Sequence, residues 1–409
     1  TRTKSKDIIF GAVSDMPRLP QIHITTSFNA EIESNSIYTY ASLTVESEDS
    51  VPHSDITDAG MRIRLRGNST LYMPKLSYKI KFNEKTKLLN DYAEKDWVLL
   101  ANFADQTLVR NALAFKMSED FNLAFTPSYT FVDLYINGEY QGNYMLTDQI
   151  EVTNDRVNIE ENVTDIDTGY LIEMDKGFDR DQEKLANENY FFSNNLPFMI
   201  KSPQEEDQHY SITQKEYIND YFNDLFYTLI NGEDYNALID EASFIDWFIV
   251  NEVFKNVDSG YSSVYYYKDK GGKLFMGPVW DFDLSTGNPG HLQDELRGPE
   301  GWYTSRSDKN EIFELLMMYP SFRENLKIRW NEMYESSIIT LLDEVFVISD
   351  SITYSRVQNF QLWDVIGTNE DWYTAPEILE IETYDEQVWF LHDYLKTRIR
   401  WLHLEINNF

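Results

Sequence analysis

The spacing of the apolar residues changes partway along the chain, and this change is the strongest constraint on the fold. In the first third, apolar side chains alternate with polar ones, as they do in half-buried strands. The segments with this pattern are IHITTSF, IYTYASLTV, MRIRLRG, LSYKIKF and TFVDLYI. Asn137-Gly138 follows the last of them and is a strong signal for a tight hairpin. The early part of the chain is therefore predicted to form mainly β-sheet.

From about residue 210 the pattern becomes helical. Apolar pairs recur every four residues between Tyr217 and Ile230, and Gly232 follows where a C-terminal cap belongs. The next segment, EASFIDWFIVNEVFKN, is apolar on nearly every side, which predicts a buried helix. Amphipathic helices are predicted again from Asn310 to the end of the chain. A single helix is expected within the strand-rich part, with Asp105 as its N-cap.

These patterns predict an α+β chain with a strand-rich part over residues 1–175 and a helical part over residues 176–409. Two short strands, SSVYYYK and GKLFMGPVWDFD, are expected to form a hairpin inside the helical part. We expect a cleft between the two parts, because ligand sites commonly lie at such junctions.

The charge of the chain excludes several classes of partner. It has 69 acidic and 35 basic residues and a net charge of −34, so its surface repels nucleic acids and anionic lipids and favours basic partners. The same acidity could also serve solubility alone. The absence of cysteine excludes disulfides, thiol nucleophiles and cysteine zinc sites. No uninterrupted apolar run approaches the roughly 20 residues that span a membrane.

The segment GPVWDFDLSTGN carries two aspartates, Asp281 and Asp283, two positions apart. In an extended strand both would point to the same face, roughly 6.6 Å apart, with Trp280 and Phe282 on the opposite face. Two carboxylates aimed at one point repel each other unless a cation, a proton or a set of hydrogen-bond donors lies between them. The spacing therefore indicates a polar site at the end of this strand.

Asp258 follows the predicted buried helix and is separated from Asp281 by one hairpin. Because a hairpin returns the chain close to its start, we expect Asp258 to face the same pocket as Asp281 and Asp283. Oxygen ligands suit Mg²⁺ or Ca²⁺ rather than zinc, and no histidine has the spacing of a metal motif. The alternative is that these aspartates cap turns and pair with arginines.

Several longer motifs resemble those of the spore-coat protein H (CotH) kinase family. They are RGNST, PKLSYKIKF, KDWVLLANFADQTLVRNALAFKM, YINGEYQGNYMLTDQIE, GYLIEMD and VWDFDLSTGN, which occur in order between about Leu19 and Trp330. The resemblance implies an atypical protein-kinase-like bilobal fold with a strand-rich N-lobe and a helical C-lobe. It also implies transfer of the γ-phosphate of ATP to serine or threonine of secreted or spore-coat proteins. The implied location is outside the cell, at its surface or in the spore coat.

The resemblance assigns roles to the three aspartates. Asp258, in the segment NVD, matches the catalytic aspartate, which would orient and deprotonate the acceptor hydroxyl. Asp281 matches the aspartate that holds Mg²⁺ against the phosphates of ATP, and Asp283 is expected as a second ligand. Ser263 stands where many members have an asparagine ligand, and is expected to be a weaker one. Mn²⁺ and Ca²⁺ are alternative ions.

Three further residues are expected to contact ATP. Lys79, in the middle of PKLSYKIKF, is predicted to bind the phosphates, and Arg66, in RGNST, could grip a phosphate with its planar guanidinium. Glu173, in GYLIEMD, falls where a kinase hinge would contact adenine. Alternating lysine and arginine on a strand can equally form its solvated face, and GYLIEMD can be an ordinary link between lobes.

The expected substrate is a basic, serine- or threonine-rich protein, because the acidic surface would attract such chains. Two other functions stay open. One is a nucleotide- or metal-binding pseudokinase or scaffold, since the hydroxyl of Ser263 is a poorer cation ligand than an amide carbonyl. The other is a glycoside hydrolase, which would use paired carboxylates in an aromatic-rich cleft as acid and base.

Overall fold

The computed structural model describes residues 18–48, 51–162, 165–176, 189–203, 211–368, 371 and 373–409. Its first seven strands are β1 (Gln21–Thr26), β2 (Thr39–Glu46), β3 (Ala59–Arg66), β4 (Ser77–Thr86), β5 (Glu94–Leu100), β6 (Tyr129–Ile136) and β7 (Glu139–Asp148). They close into a barrel in the order β1-β2-β3-β4-β5-β7-β6. The closing pair, β1 and β6, is parallel, and the other neighbours are antiparallel.

The apolar side chains of the alternating pattern fill the interior of this barrel. Ile63 of β3, Ile80 of β4 and Leu134 of β6 belong to its core and are fully buried. Small barrels are typically filled by inward-facing side chains in this way. The residues between them face outward, because successive side chains on a strand alternate, and these include Arg64 and Lys79.

The predicted hairpin turn joins β6 and β7. Asn137 and Gly138 have φ angles of 51° and 83°, and a type I′ turn needs positive φ at both central residues. The side-chain Oδ1 of Asn137 also accepts the backbone N–H of Thr26 at 2.9 Å. The turn is therefore tied to the end of β1, the strand that closes the barrel.

A second sheet has five antiparallel strands in the order β12-β11-β8-β10-β9. Their bounds are β8 (Tyr170–Met174), β9 (Tyr190–Ser193), β10 (Leu196–Ser202), β11 (Val264–Lys268) and β12 (Leu274–Met276). β11 and β12 are the two strands of the predicted hairpin, and β8 lies in the centre of the sheet. All five residues of β8 are buried.

The helices are α1 (Arg110–Asp120), α2 (Ile212–Ile230), α3 (Glu241–Phe254), α4 (Asp294–Arg297), α5 (Glu311–Leu316), α6 (Pro320–Met333), α7 (Leu341–Ser351), α8 (Thr353–Leu362), α9 (Pro376–Leu379) and α10 (Tyr384–Asn407). Short 3₁₀ turns lie at Ser27–Asn29 and Ser69–Tyr72, and a π-helical turn lies at Tyr334–Ile338. α3 is the predicted buried helix, and it packs against α1, α6 and α10. α8 packs against β7 of the barrel.

The prediction that Asp105 is the N-cap of the first helix is wrong. α1 starts at Arg110, and Asp105 reaches it from outside: its Oδ2 accepts the Arg110 backbone N–H at 2.9 Å. Its Oδ1 accepts the Thr107 N–H, also at 2.9 Å. The carboxylate thus satisfies an N–H group that the helix itself leaves without a partner. The predicted end of α2 is confirmed, since Gly232 follows it with a φ of 69°.

The apolar side chains form two large cores and a smaller one. The first fills the barrel, and the second is built from α1, the five-stranded sheet and most of the helices. The third includes Met73 and Phe103, which flank β4 and β5, together with Val257 and Leu284. It joins the loops of the barrel to the segments that carry the aspartates.

The α+β class is confirmed, and the strand-rich part is a closed seven-stranded barrel, so the atypical kinase-like bilobal fold stays a prediction. The division of the chain at residues 175 and 176 stays a prediction. Among the described residues, no helix has both the length and the apolar character needed to cross a membrane.

Candidate active site

The prediction that Asp281 and Asp283 share one face of a strand is wrong. β12 ends at Met276, and residues 277–284 continue without strand structure. Asp281 itself has a φ of 65°, a left-handed conformation that a strand does not contain. Trp280 and Phe282 are buried as expected, with 4% and 0% of their surfaces exposed. The two aspartates therefore project from an irregular segment that its buried aromatic side chains anchor in the core.

Asp258 lies in a turn just beyond the end of α3. Lys255 ends that helix with a φ of 48°, and Asn256 follows it with 2% of its surface exposed. The Oδ1 of Asn256 accepts the Asp258 N–H at 3.1 Å, while its Nδ2 donates to the carbonyl of Trp280 at 3.4 Å. One buried amide thus joins the turn that carries Asp258 to the segment that carries the other two aspartates.

A loop from the helical part supports the other side of this turn. Thr304 Oγ1 donates to Ser259 Oγ at 2.9 Å, and Asn310 Nδ2 donates to the Ser259 carbonyl at 2.8 Å. The loop lies so close that a Cβ at Gly260 would come within 2.4 Å of the Lys309 carbonyl carbon. Glycine is therefore required at this position for the loop and the turn to pack together.

The three carboxyl groups perturb one another. Burial, followed by the charges of Asp281 and Asp283, raises the pKa of Asp258 well above its usual range. Burial and the charge of Asp281 raise the pKa of Asp283 to about 8. Burial also raises the pKa of Asp281, although Arg66 and a hydrogen bond from Ser263 oppose that rise. Like charges held together in this way favour a bound proton or cation.

Arg66 approaches the three acids from the barrel. It is the last residue of β3, and its guanidinium carbon lies 4.9 Å from the centre of the Trp280 ring. It is half-buried and close enough to Asp281 to lower the pKa of that carboxyl group. In the part of the chain that the structure describes, its guanidinium forms no hydrogen bond or ion pair. Its donors therefore remain available to a ligand.

Lys79 lies on the same outer face of the barrel, deeper along the next strand. Arg64 is its partner across the β3–β4 pair, and Arg66 is the partner of Ser77, so Lys79 and Arg66 are diagonal neighbours. The Nζ of Lys79 forms an ion pair with Asp96 at 2.9 Å. A role for Lys79 at phosphate stays a prediction, and it would require Lys79 to leave or share this carboxylate.

Glu173 lies in the central strand β8, paired with Met199 on one side and Tyr265 on the other. Its Oε1 accepts the Tyr265 hydroxyl at 3.1 Å, and its Oε2 forms an ion pair with Lys201 at 2.9 Å. Its charge contributes to the raised pKa of Asp281. Glu173 is therefore a neighbour of the acid site, and its contact with adenine stays a prediction.

Ser263 also lies at the site. Its hydroxyl donates to Asp281 Oδ2 at 3.3 Å, and its φ is 56°. In this arrangement Ser263 orients a carboxylate. Its role as a metal ligand stays a prediction.

The sequence analysis missed Asn111, which contacts the aspartate segment directly. Its Oδ1 accepts the backbone N–H of Phe282 at 2.7 Å, between the two aspartates. The spacing gave no signal for it, because Leu108, Val109, Ala112 and Leu113 lie at helical spacing on one face and Asn111 falls outside that face. In the structure the first part of α1 is buried on every side, so the Asn111 amide is buried too and needs a specific partner.

The acids suit a divalent cation whose remaining ligands are water or the phosphates of a substrate. Among the described residues, no group of three carboxylate, imidazole or thiolate side chains is already arranged as a complete metal site. Mg²⁺ usually takes one or two protein carboxylates, several waters and the phosphates of a substrate. Asp281 and Asp283 could supply the two protein carboxylates, and a cation between them would relieve their mutual repulsion.

Comparison with known proteins identifies the family of the chain. A search of curated proteins found no match. Residues 63–402 match the family model described as CotH kinase protein, and the match covers most of the chain. It includes Arg66, the three aspartates and all the residues that support them. The chain belongs to the CotH kinase protein family.

Proposed function

We propose that this protein is a metal-dependent protein kinase that transfers the γ-phosphate of ATP to serine or threonine hydroxyls. One observation carries the proposal: Asp258, Asp281 and Asp283 lie close enough for their charges to interact, and Arg66, whose guanidinium forms no hydrogen bond or ion pair with the described residues, approaches them from the barrel. Phosphoryl transfer needs carboxylates that hold a metal ion and, opposite them, a positively charged side chain that can bind phosphate. The barrel and the helical part would act as the two lobes of a kinase-like fold.

Asp281 and Asp283 would hold the metal ion. A bound Mg²⁺, or Mn²⁺ in its place, would neutralise charge on the β- and γ-phosphates of ATP. The hydrogen bond from Ser263 keeps one oxygen of Asp281 oriented, and Trp280 and Phe282 fix the segment in the core. Ca²⁺ is a weaker candidate, because it prefers more oxygen ligands than this pair supplies.

Asp258 would orient and deprotonate the acceptor hydroxyl. The hydroxyl oxygen forms a bond to the γ-phosphorus, and the bond from that phosphorus to the β–γ bridging oxygen breaks. ADP leaves with the electron pair, and the hydroxyl proton passes to Asp258 and then to solvent. Burial and two acidic neighbours raise the pKa of Asp258, so a cation held beside them would lower it and leave a carboxylate able to accept the proton.

The remaining predicted ligands would contact the nucleotide. Arg66 would bind a phosphate through two parallel N–H groups, with its side chain held over Trp280. Lys79 would add a second positive charge, and Glu173 would lie towards the adenine end. The protein substrate would be basic and rich in serine or threonine, attracted by the net charge of −34. Secreted or spore-coat proteins are the substrates that the family name suggests.

The test is incubation of the full chain with γ-labelled ATP, Mg²⁺ or Mn²⁺ and a basic serine-rich protein. We expect label on the substrate with the parent protein and none with Asp258→Ala or Asp281→Ala. Glu324→Ala is the matched control, because Glu324 is an exposed carboxylate on α6. It should transfer label at the parent rate.

Two other results would change the assignment. Metal-dependent ATP binding without transfer, lost in Asp281→Ala, would indicate a pseudokinase or scaffold, in line with Ser263 replacing an amide ligand. If the protein binds neither metal nor nucleotide, the kinase proposal fails. Hydrolysis of glycosides, again lost in the aspartate variants, would then identify a hydrolase.

A further inference from the structure

We propose that Asn111 is a positioning residue that holds Asp281 and Asp283 in the geometry needed to bind a cation, an inference that rests on the proposed function. Asn111 lies in the first turn of α1, and 3% of its surface is exposed. It does not belong to the set of acids and phosphate-binding residues described above. Its effect on the cation would pass through the backbone of Phe282.

The first step of the argument is the hydrogen bond itself. Residues 280–283 lie outside any strand, so their backbone groups have no ladder partners. The N–H of Phe282, the residue between the two aspartates, donates to Asn111 Oδ1 at 2.7 Å. This bond fixes the peptide plane that joins Asp281 to Phe282, and Asp283 follows one residue later.

The orientation of the Asn111 amide is itself fixed. Its Nδ2 donates to Asn102 Oδ1 at 3.0 Å, and Asn102 Nδ2 donates in turn to the carbonyl of Leu108 at 3.1 Å. Turning the Asn111 amide over would place a donor against the Phe282 N–H and lose both of its bonds. The acceptor therefore points at the aspartate segment in one orientation only.

Two further hydrogen bonds hold the aspartate segment, one before Phe282 and one after Asp283. Asn256 Nδ2 donates to the Trp280 carbonyl at 3.4 Å, two residues before Phe282. Arg110, next to Asn111, is fully buried, and its Nε donates to Thr286 Oγ1 at 2.7 Å. The start of α1 and the turn after α3 thus hold the aspartate segment between them.

This arrangement is the one expected of groups that support metal ligands. Residues that hold a ligand in place without touching the ion typically change metal affinity about 10- to 100-fold when they are removed. Here the support acts on the peptide N–H between two ligands, so its loss should change both carboxylates at once. We expect Asn111→Ala to weaken cation binding about 10-fold while the chain stays folded.

The experiment combines two measurements on the full chain. Mn²⁺ alone is titrated by calorimetry, and hydrogen exchange is followed in the peptide that covers residues 279–285. Asn111→Ala should bind Mn²⁺ about 10-fold more weakly and exchange faster in this peptide.

Asn143→Ala is the matched control. Asn143 is equally buried and its Nδ2 donates to Ser355 Oγ at 2.9 Å, within the contact between the barrel and α8. Its loss removes a buried amide hydrogen bond away from the aspartates. We expect its Mn²⁺ affinity and the exchange of residues 279–285 to match the parent.

The outcomes separate this inference from the proposed function. Equal Mn²⁺ affinity and equal exchange in the parent and Asn111→Ala overturn the role of Asn111 and leave the kinase proposal standing. Equal loss of affinity in Asn111→Ala and Asn143→Ala also overturns it, because the effect is then a general loss of stability. A parent protein that binds no Mn²⁺, with or without ATP, refutes the proposed function and this inference together.

Discussion

Replacement of Arg398 by methionine should destabilise the whole helical part. Arg398, on α10, and Glu252, on α3, form an ion pair in which neither side chain has more than 1% of its surface exposed. Arg398 also donates to the carbonyls of Pro299 at 3.0 Å and Gly301 at 2.6 Å. Glu252 accepts the Thr304 N–H at 2.6 Å. The pair therefore joins two helices to the loop that supports the turn of Asp258.

Removing one partner leaves the other charge buried and uncompensated, which typically costs about 3–5 kcal/mol. We expect a loss of that size in the free energy of unfolding of Arg398→Met, measured by urea denaturation. The double variant Glu252→Gln with Arg398→Met should lose about 2 kcal/mol less than the sum of the single variants, because it leaves no unpaired charge. Arg329→Met is the control: it breaks the less deeply buried pair with Asp246, for which we expect a smaller loss of about 1–2 kcal/mol.

Two results would refute this reasoning. If the losses of the single variants add in the double variant, Glu252 and Arg398 do not act as a pair. If Arg398→Met loses no more than Arg329→Met, burial does not make this pair costlier to break. Transfer activity of the folded fraction should also fall, since the loop at Thr304 contacts the turn that carries Asp258.

Three further changes have definite expected outcomes. Arg66→Ala should raise the KM for ATP about 10- to 100-fold, the loss of a hydrogen-bonded charge, with only a small fall in melting temperature, because its described protein contacts are the Trp280 ring and the charge of Asp281 and include no hydrogen bond; an unchanged KM would place the phosphates elsewhere. Gly260→Ala should lower both the melting temperature and kcat, measured by thermal melting and by transfer assay, because its Cβ would lie 2.4 Å from the Lys309 carbonyl carbon and force apart the loop and the turn that carries Asp258; parent values of both would contradict the close approach. Burial lowers the pKa of Lys75 to about 7, so between pH 7 and 10 the unfolded lysine holds a proton that the folded one has released, and stability rises with pH. The parent should therefore gain about 1.4 kcal/mol per pH unit over Lys75→Met in urea denaturation, whereas parallel curves would mean that the oxygens around Lys75 keep it charged.

The sequence predicted the local structure correctly wherever a single hydrophobic period or turn motif determines it. Alternation around Ile63 and Ile80 predicted the strands, and Asn137-Gly138 predicted the turn, because both depend on neighbours in the chain. The closure of the barrel did not follow, since the parallel pairing of β1 with β6 brings together residues far apart in sequence. No local pattern encodes such a contact.

In the aspartate segment, the alternation of polar and apolar residues led to a wrong prediction. Alternation of Trp280, Asp281 and Phe282 suggests a strand, but Pro278 lies just before them and cannot donate to a sheet ladder. That proline was the available evidence that the strand had ended. The convergence of Asp258 with Asp281 was nevertheless correctly expected, because it depended on the hairpin between them and not on the strand geometry.

The choice among the basic residues could not be made from spacing. Arg66 and Lys79 both alternate with apolar residues on paired strands. Arg66 ends its strand and so reaches beyond the barrel to Trp280, whereas Lys79 lies within its strand and meets Asp96. Which of several outward cations reaches a ligand depends on where each strand stops, and strand ends are the least predictable boundaries.

The closure of the barrel limits how this protein can recognise other chains. A sheet with a free edge can recruit an extended peptide as an additional strand, which binds through its backbone with little regard to sequence. Every strand of the barrel has a neighbour on both sides, so that mode of binding is absent there. Among the described strands, the free edges belong to β9 and β12 of the second sheet. Partners that meet the barrel must therefore be selected by its outward side chains and loops, which makes their recognition depend on composition and charge.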